Sequence, residues 1–468
     1  MIDVDPSYRK KTEYTFRTLC RIIGLKPVFY TPNDSCDNSS IVDIFYSAKC
    51  PDNFPVWIYH NPEVVSFYKG KKSFEELFFS YYQGVRLPFL FSQYSEIVVL
   101  SNYQSAIYQD LISSAFYFLS GWQEYSRELG RGERFNYLDS LQSKGDFCEI
   151  PIVDYYAIIM RDCLQRNSLK KSLKPEEPAH FSVALTHDLD YFNYWTEEHL
   201  LQVFRYNCHR FFKNPLLALY KLCGHLITKY FFWNPEKFLT NIYQREERYQ
   251  VKSTTFIMVE PDQEHRQGYW QDSQQKEKLL KIIKGLDVGL HGTSVASYEE
   301  NELVKQLSVL QENGFSSCGY RNHFLCFNYQ NSFQLLEKAG INYDSTLGFS
   351  EGFGFRVGTS MPFYPYSLQD DREFQVLEFP LIIMDSALFK KYSYLQARKK
   401  VKQLIDLLAE HNLFLTILWH PNRFEIIDYF FCGKLYWEII RYIKKKNGKI
   451  RSLTDYYYSF LSREKNAE

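Results

Sequence analysis

The chain lacks any paired arrangement of its ten cysteines: Cys20, Cys36, Cys50, Cys148, Cys163, Cys208, Cys223, Cys318, Cys326 and Cys432 are scattered singly through 468 residues, with no CxxC. That excludes a disulfide-stapled scaffold and reads as reduced thiols of a cytosol. Net charge is lacking too, with 55 Lys plus Arg against 55 Asp plus Glu. No overall field draws such a chain to nucleic acid or, as a whole, to an anionic membrane. The opening MIDVDPSYRKKTEYTF carries acids where a secretory signal needs a basic flank and an apolar run, so a cytoplasmic protein is expected. Long apolar runs are missing as well. The most apolar helix-like stretch, FFKNPLLALYKLCGHLITKYFFW at 211–233, is interrupted by Lys213, Asn214, Pro215, Lys221, His225 and Lys229. It falls short of the run of about 20 residues that a membrane span needs. It either docks on the protein itself or lies as a basic amphipathic helix on a membrane, which makes 201–233 a candidate for peripheral membrane contact. No internal repeat or low-complexity tract is evident.

What is present is a globular composition, 45% hydrophobic and 24% charged, with aromatics at 18%. The 38 Tyr and 39 Phe suit thick cores first and stacking faces for sugar rings second. The length predicts two or three domains. Residues 1–175 alternate strand-like runs (PVWIYHN, EIVVLS) with helical ones and form an α/β domain; the charged, proline-bearing SLKKSLKPEEPAH at 168–180 reads as a boundary. In 176–468, a helical insert is expected at about 195–250. Elsewhere short apolar runs recur between amphipathic helical patterns: FSVALT, STTFIMV, LDVGLHG, INYDSTLGF, QVLEFPLIIM and LFLTILWH. Strand then helix, repeated, predicts an α/β fold with a parallel sheet or barrel wrapped in helices.

In such folds chemistry sits at the carboxyl ends of the strands. Those ends carry His187, Asp188 and Asp190 (THDLD), His291 (GLHGTS), Arg321 and His323 (GYRNHFLCF), Asp344 (NYDSTLGF), and Trp419 with His420 (LWHPNRF). Side chains alternate along a strand, so Asp188 and Asp190 should share one face and His187 and Leu189 the other. Two carboxylates held together call for a cation between them or a shared proton. His291 is a ligand candidate, Arg321 would keep a carboxylate ionised and oriented, and His420 is an acid or base candidate.

The order of these segments over about 181–430 resembles the NodB-type polysaccharide deacetylases, metal-dependent carbohydrate esterases built on a distorted (β/α) barrel. The resemblance implies Asp188 as general base, Asp190 and His291 as metal ligands and Arg321 as the group orienting the base. It also matches Asp344 to a further acidic motif, and Leu418 with His420 to the final leucine-x-histidine motif. The implied activity is hydrolytic removal of an acyl group from an acetylated sugar or glycan intermediate, with a divalent metal, zinc first. Where the family has a second histidine four residues on, this chain has Val295. A catalytic zinc usually has three protein ligands. His187, if its strand kinks, His323, or Ser294 and Ser297 through water are the candidate replacements. Phe324, Tyr343 and Trp419, together with Trp195, are candidate sugar-stacking platforms, and Phe324 also marks a backbone N–H for an oxyanion. The competing expectation is a barrel that keeps the sugar cleft as a binding module without hydrolysis. Segments AFYFLSGWQEY, GRGERF and IPIVDYYAIIM resemble the uncharacterised N-terminal domain that accompanies such deacetylases in Bacteroidetes-like bacteria.

Overall fold

The computed structural model describes residues 1–31, 42–70, 76–92, 94–101, 104–127, 135–167, 180–211, 213–262, 268–315 and 319–466. The N-terminal part holds β1 (Ile44–Ser47), β2 (Val56–Tyr59), β3 (Phe78–Tyr82), β4 (Val85–Phe89), β5 (Val98–Ser101) and β6 (Gln104–Ile107). Four of these form a sheet in the order β1-β2-β6-β5, parallel except at β5, and β3 with β4 makes a separate hairpin. Helices Arg9–Ile22, Leu111–Leu119 and Ile152–Arg166 bury their apolar positions in the same core.

The second part is the distorted (β/α) barrel. Its strands are β7 (Ser182–Leu189), β8 (Ser253–Ile257), β9 (Asp287–Gly292), β10 (Gly319–Asn322), β11 (Tyr343–Asp344), β14 (Leu377–Glu378), β15 (Leu381–Met384), β16 (Phe414–Leu418) and β17 (Lys449–Arg451); the short ribbon β12 (Tyr366–Ser367) and β13 (Arg372–Glu373) stands apart. Parallel pairing runs β14-β11-β10-β9-β8-β7-β16-β15. The two ends of that row are one stretch of chain. β14 pairs with β11, and three residues after Glu378 the strand β15 pairs with β16, so the segment 377–384 closes the ring by changing partner. Pro380, which has no amide hydrogen to give a ladder, sits where the change occurs. Nearly every residue of β7 is buried, as expected of a strand covered on both faces.

Helices Glu197–Phe211, Pro215–Ile227 and Pro235–Arg248 lie between β7 and β8. The latter two open on Asn-Pro pairs, in which Asn214 and Asn234 accept from the third amide of the helix and proline takes its first position. The excursion between β11 and β14 reaches the N-terminal part. Arg356 makes a buried two-bonded pair with Glu124 at 2.8 and 2.7 Å, and Asp154 accepts from the Ser360 amide and hydroxyl at 2.8 and 2.7 Å. At Gly354 (φ 128°) a Cβ would fall 2.0 Å from the Cys148 carbonyl, so only glycine permits that approach. One apolar core therefore continues through both parts. The sequence boundary at 175/176 lies outside the described residues.

Candidate metal centre at the barrel mouth

β7 runs regularly through Leu189, in register with β8 at His187↔Thr255, Asp188↔Phe256 and Leu189↔Ile257. Alternation therefore holds. Asp188 and Asp190 both approach the Nε2 of His291, whose distances are 3.9 Å to Asp188 Oδ2 and 3.3 Å to Asp190 Oδ1. His291 lies near the end of β9 and donates from Nδ1 to the Arg321 carbonyl at 3.1 Å, which leaves Nε2 aimed at the acids. His323, just beyond β10, has its Nε2 3.9 Å from Asp190 Oδ1. Asp190, His291 and His323 thus offer ligand atoms that all lie within 4.8 Å of one another. Of the candidate replacements for the residue at position 295, His323 is the one that converges.

The donor set fits a divalent ion. Asp190 Oδ1 is buried without a hydrogen-bond partner, an arrangement costly unless something else satisfies it. Two imidazole nitrogens and a carboxylate match zinc chemistry. His323 Nδ1 bonds Asp262 at 2.9 Å, and Asp262 is itself held by the Ser294 amide at 2.7 Å and hydroxyl at 2.8 Å. This carboxylate–histidine pairing orients a ligand ring. Burial would raise the Asp190 carboxyl, but the His291 imidazole 3.3 Å away and the charges of His420 and His323 hold it well below the usual carboxylate range. The same acids, Asp188 foremost, outweigh burial at His291 and raise its imidazole.

Two further groups complete the site. Arg321, fully buried, donates from one terminal nitrogen to Asp188 Oδ1 at 3.0 Å and from its other nitrogens to Ser345 at 2.7 Å, with its guanidinium 4.5 Å from the centre of the Phe256 ring. His420 follows β16 and receives Asp385 twice: Asp385 Oδ2 accepts from the backbone amide at 2.6 Å, and Oδ1 faces Nδ1 at 2.7 Å. Burial opposes a charge on this ring, but the Asp385 carboxylate prevails and lifts it to about 9. His420 Nε2 stands 3.7 Å from Asp190 Oδ2. Only Asp190 and His420 keep appreciable side-chain exposure, 14% and 15%, so the cluster meets solvent through them.

Several sequence expectations are corrected. His187 does not approach the cluster. Because β7 does not kink, its ring points to the opposite face, 2.5 Å from the Trp419 carbonyl and 2.9 Å from Glu246. Ser294 and Ser297 spend their hydroxyls on Asp262 and on the Ser294 carbonyl. Asp344 is buried beneath the site, where it accepts from the Thr346 amide and hydroxyl at 3.0 and 2.6 Å; the acid that holds His420 is Asp385. Desolvation raises Asp344 and its neighbour Glu378, two carboxyls that share a buried place near Arg321. Tyr343, Trp419, Leu418 and Trp195 are buried in packing rather than set in a cleft. Phe324 does reach the site: half-buried, it stacks on His323 with ring centres 3.8 Å apart. Phe324 and Leu325 carry consecutive left-handed conformations at φ 57° and 54°, a strain of the kind found at functional sites. Asp262 and Asp385 were not singled out from sequence. Both follow apolar strands (TTFIMVEPD, PLIIMD), so the strand-end rule that found the histidines could have found them.

Residues 1–169 match a family whose description is "Family of unknown function (DUF7033)". No curated protein matches the chain by sequence. Among solved structures, the chain is similar to a protein named as a polysaccharide deacetylase from Mycobacterium smegmatis, at 15% identity and a TM-score of 0.40, over 62% of this chain and 94% of that one. It is similar also to the peptidoglycan deacetylase PdaC from Bacillus subtilis, at 13% identity and a TM-score of 0.32, over 62% and 96%.

Proposed function

We propose that the chain is a metal-dependent hydrolase that removes an acetyl or other acyl group from an amino sugar or glycan precursor. One observation carries this reading: Asp190, His291 and His323 converge within 4.8 Å beside a carboxylate held by a buried arginine and an imidazole held by a buried aspartate. A divalent cation, zinc first, would supply an acidified water and a polarised acyl carbonyl when held by those three residues. Asp188 takes the proton of the attacking water, and Arg321 keeps its carboxylate charged and aimed. His420, raised to about 9, carries a proton at neutral pH and gives it to the departing amine, which is too basic to leave as an anion. Asp385 fixes the ring so that Nε2 faces the reacting group.

The sugar-binding module without hydrolysis finds less support, because three of its four stacking candidates, Trp195, Tyr343 and Trp419, are buried. The setting we propose is the cytoplasm of a bacterium of the Bacteroidetes-like kind, with no nucleic acid as partner. The eight described cysteines that remain free support a reducing compartment. The same reading divides the chain into an α/β domain at 1–175 and the barrel domain at 176–468, which is supported by their separate sheets.

The test is metal content by elemental analysis after dialysis, together with acetate release from acetylated amino sugars, for the natural chain and Asp190→Ala. Metal uptake and acetate release that both vanish in the variant are expected. A chain that takes up no divalent metal, or a variant that hydrolyses as fast as the natural one, defeats the proposal.

A further inference from the structure

The helical insert leaves an apolar face uncovered. Leu216 is 81% exposed and Leu219, in the same helix, is open as well, and at the end of the insert Phe231 is 79% and Phe232 77% exposed. Ile426 and Phe430, from the helix that follows His420, continue the surface. A soluble monomer rarely leaves so many large apolar side chains together. Residues 201–233 hold five Lys and Arg and no Asp or Glu. Two of the five are matched from neighbouring segments, Lys221 by Asp428 and Lys229 by Glu197.

A groove of about 400 Å³ opens beside the face, between helices Pro235–Arg248 and Ile426–Lys445. Phe424, Phe430 and Trp437 form its apolar wall, and Arg245, Lys434 and Arg441 are its charged lining residues. Arg245 lies 4.2 Å from the centre of the Trp437 ring. Among the described residues that line the groove none is acidic, and Arg441 donates to the Tyr249 hydroxyl at 3.1 Å. No helix among the described residues is long and apolar enough to cross a membrane.

We infer that this face seats the protein on an anionic phospholipid surface, with the exposed aromatics at the acyl boundary and the groove's cations on lipid phosphate. Short helices with apolar and aromatic side chains on one side and lysines at the margins lie in the plane of an interface. Anionic lipid supplies the charge that the groove lacks. The face is tied to the barrel mouth. The insert begins a few residues after Asp190, and Asp428, eight residues beyond His420, pins it through Lys221 at 2.6 Å and His225 at 2.9 Å. A glycan carried on a lipid would therefore arrive beside the metal centre, an extension that rests on the hydrolase reading, whereas the docking itself does not.

Flotation of the full chain with vesicles of phosphatidylcholine alone, or mixed with phosphatidylglycerol, tests the inference. Binding at least about tenfold stronger to the mixed vesicles at low salt, weakening as salt rises, is expected. The double substitution Phe231→Ser, Phe232→Ser should lower binding to both compositions with an unchanged Tm, and Arg245→Glu with Lys434→Glu should abolish the preference for the anionic ones. Asp190→Ala should float like the natural chain, which separates docking from chemistry. The proposal is overturned if the natural chain floats with neither composition or with both equally. It is also overturned if light scattering shows a dimer that the Phe231, Phe232 variant breaks, since a second copy would then be the occupant.

Discussion

Strand β7 presents similar ingredients on its two faces and they have opposite consequences. On one face His187 lies between the Trp419 carbonyl and Glu246, while Glu246 also accepts from Ser253 at 2.7 Å and from Tyr436. His187, Glu246, Ser253 and Tyr436 all have partners there, and His187 is fully buried. On the other face Asp190 keeps an oxygen with no hydrogen-bond partner, three imidazoles turn their Nε2 atoms toward it, and solvent reaches it. A saturated buried network specifies a packing arrangement; an unsaturated one keeps capacity for a further ligand. The first is structure, and the second is the candidate for chemistry.

Substitutions on the two faces should separate accordingly. Asp188→Asn should lower acetate release roughly 10²–10⁴-fold with metal content intact, as loss of a general base does; an equal loss of metal would make Asp188 a ligand instead. Glu246→Ala strands a buried imidazole and should cost about 3–5 kcal/mol in denaturant unfolding, with metal affinity unchanged. If metal affinity fell instead, the two faces would not be independent. His420→Gln should slow hydrolysis by about 10²-fold. In the natural chain the rate should fall as pH rises through about 9, where the folded His420 ring loses the proton it donates, and that alkaline limb should be missing from the variant's pH profile. The smallest effect is expected one shell out. Asp262→Asn should weaken metal binding by about 10–100-fold, measured by competition with a chelating dye, because it loosens only the orientation of His323.

Much of the site was legible before folding was considered. Alternation placed Asp188 and Asp190 together and His187 opposite, and the strand-end rule led to His291, Arg321, His323 and His420. Two kinds of residue escaped. Asp262 and Asp385 act through other side chains, and no local pattern distinguishes an acid that holds a histidine from one that caps a helix. The aromatics at 195, 343 and 419 were misassigned for a related reason: a ring at a strand end can face the mouth or the surrounding helices. Which it does depends on neighbours far along the chain, as Tyr343 against Tyr457 and Trp419 against Tyr436 show.

Composition and periodicity by themselves determined an α/β chain with parallel strands, the parity of its acids, and the strand ends where polar groups gather, because these follow from local backbone geometry. Tertiary structure alone decided that His323 is the histidine whose Nε2 converges on Asp190 and His291, that Asp385 holds His420 while Asp344 lies buried beneath, and that 377–384 closes the ring. Those outcomes depend on distances across the barrel between strands remote in sequence, and such distances are set by the packing of the whole ring.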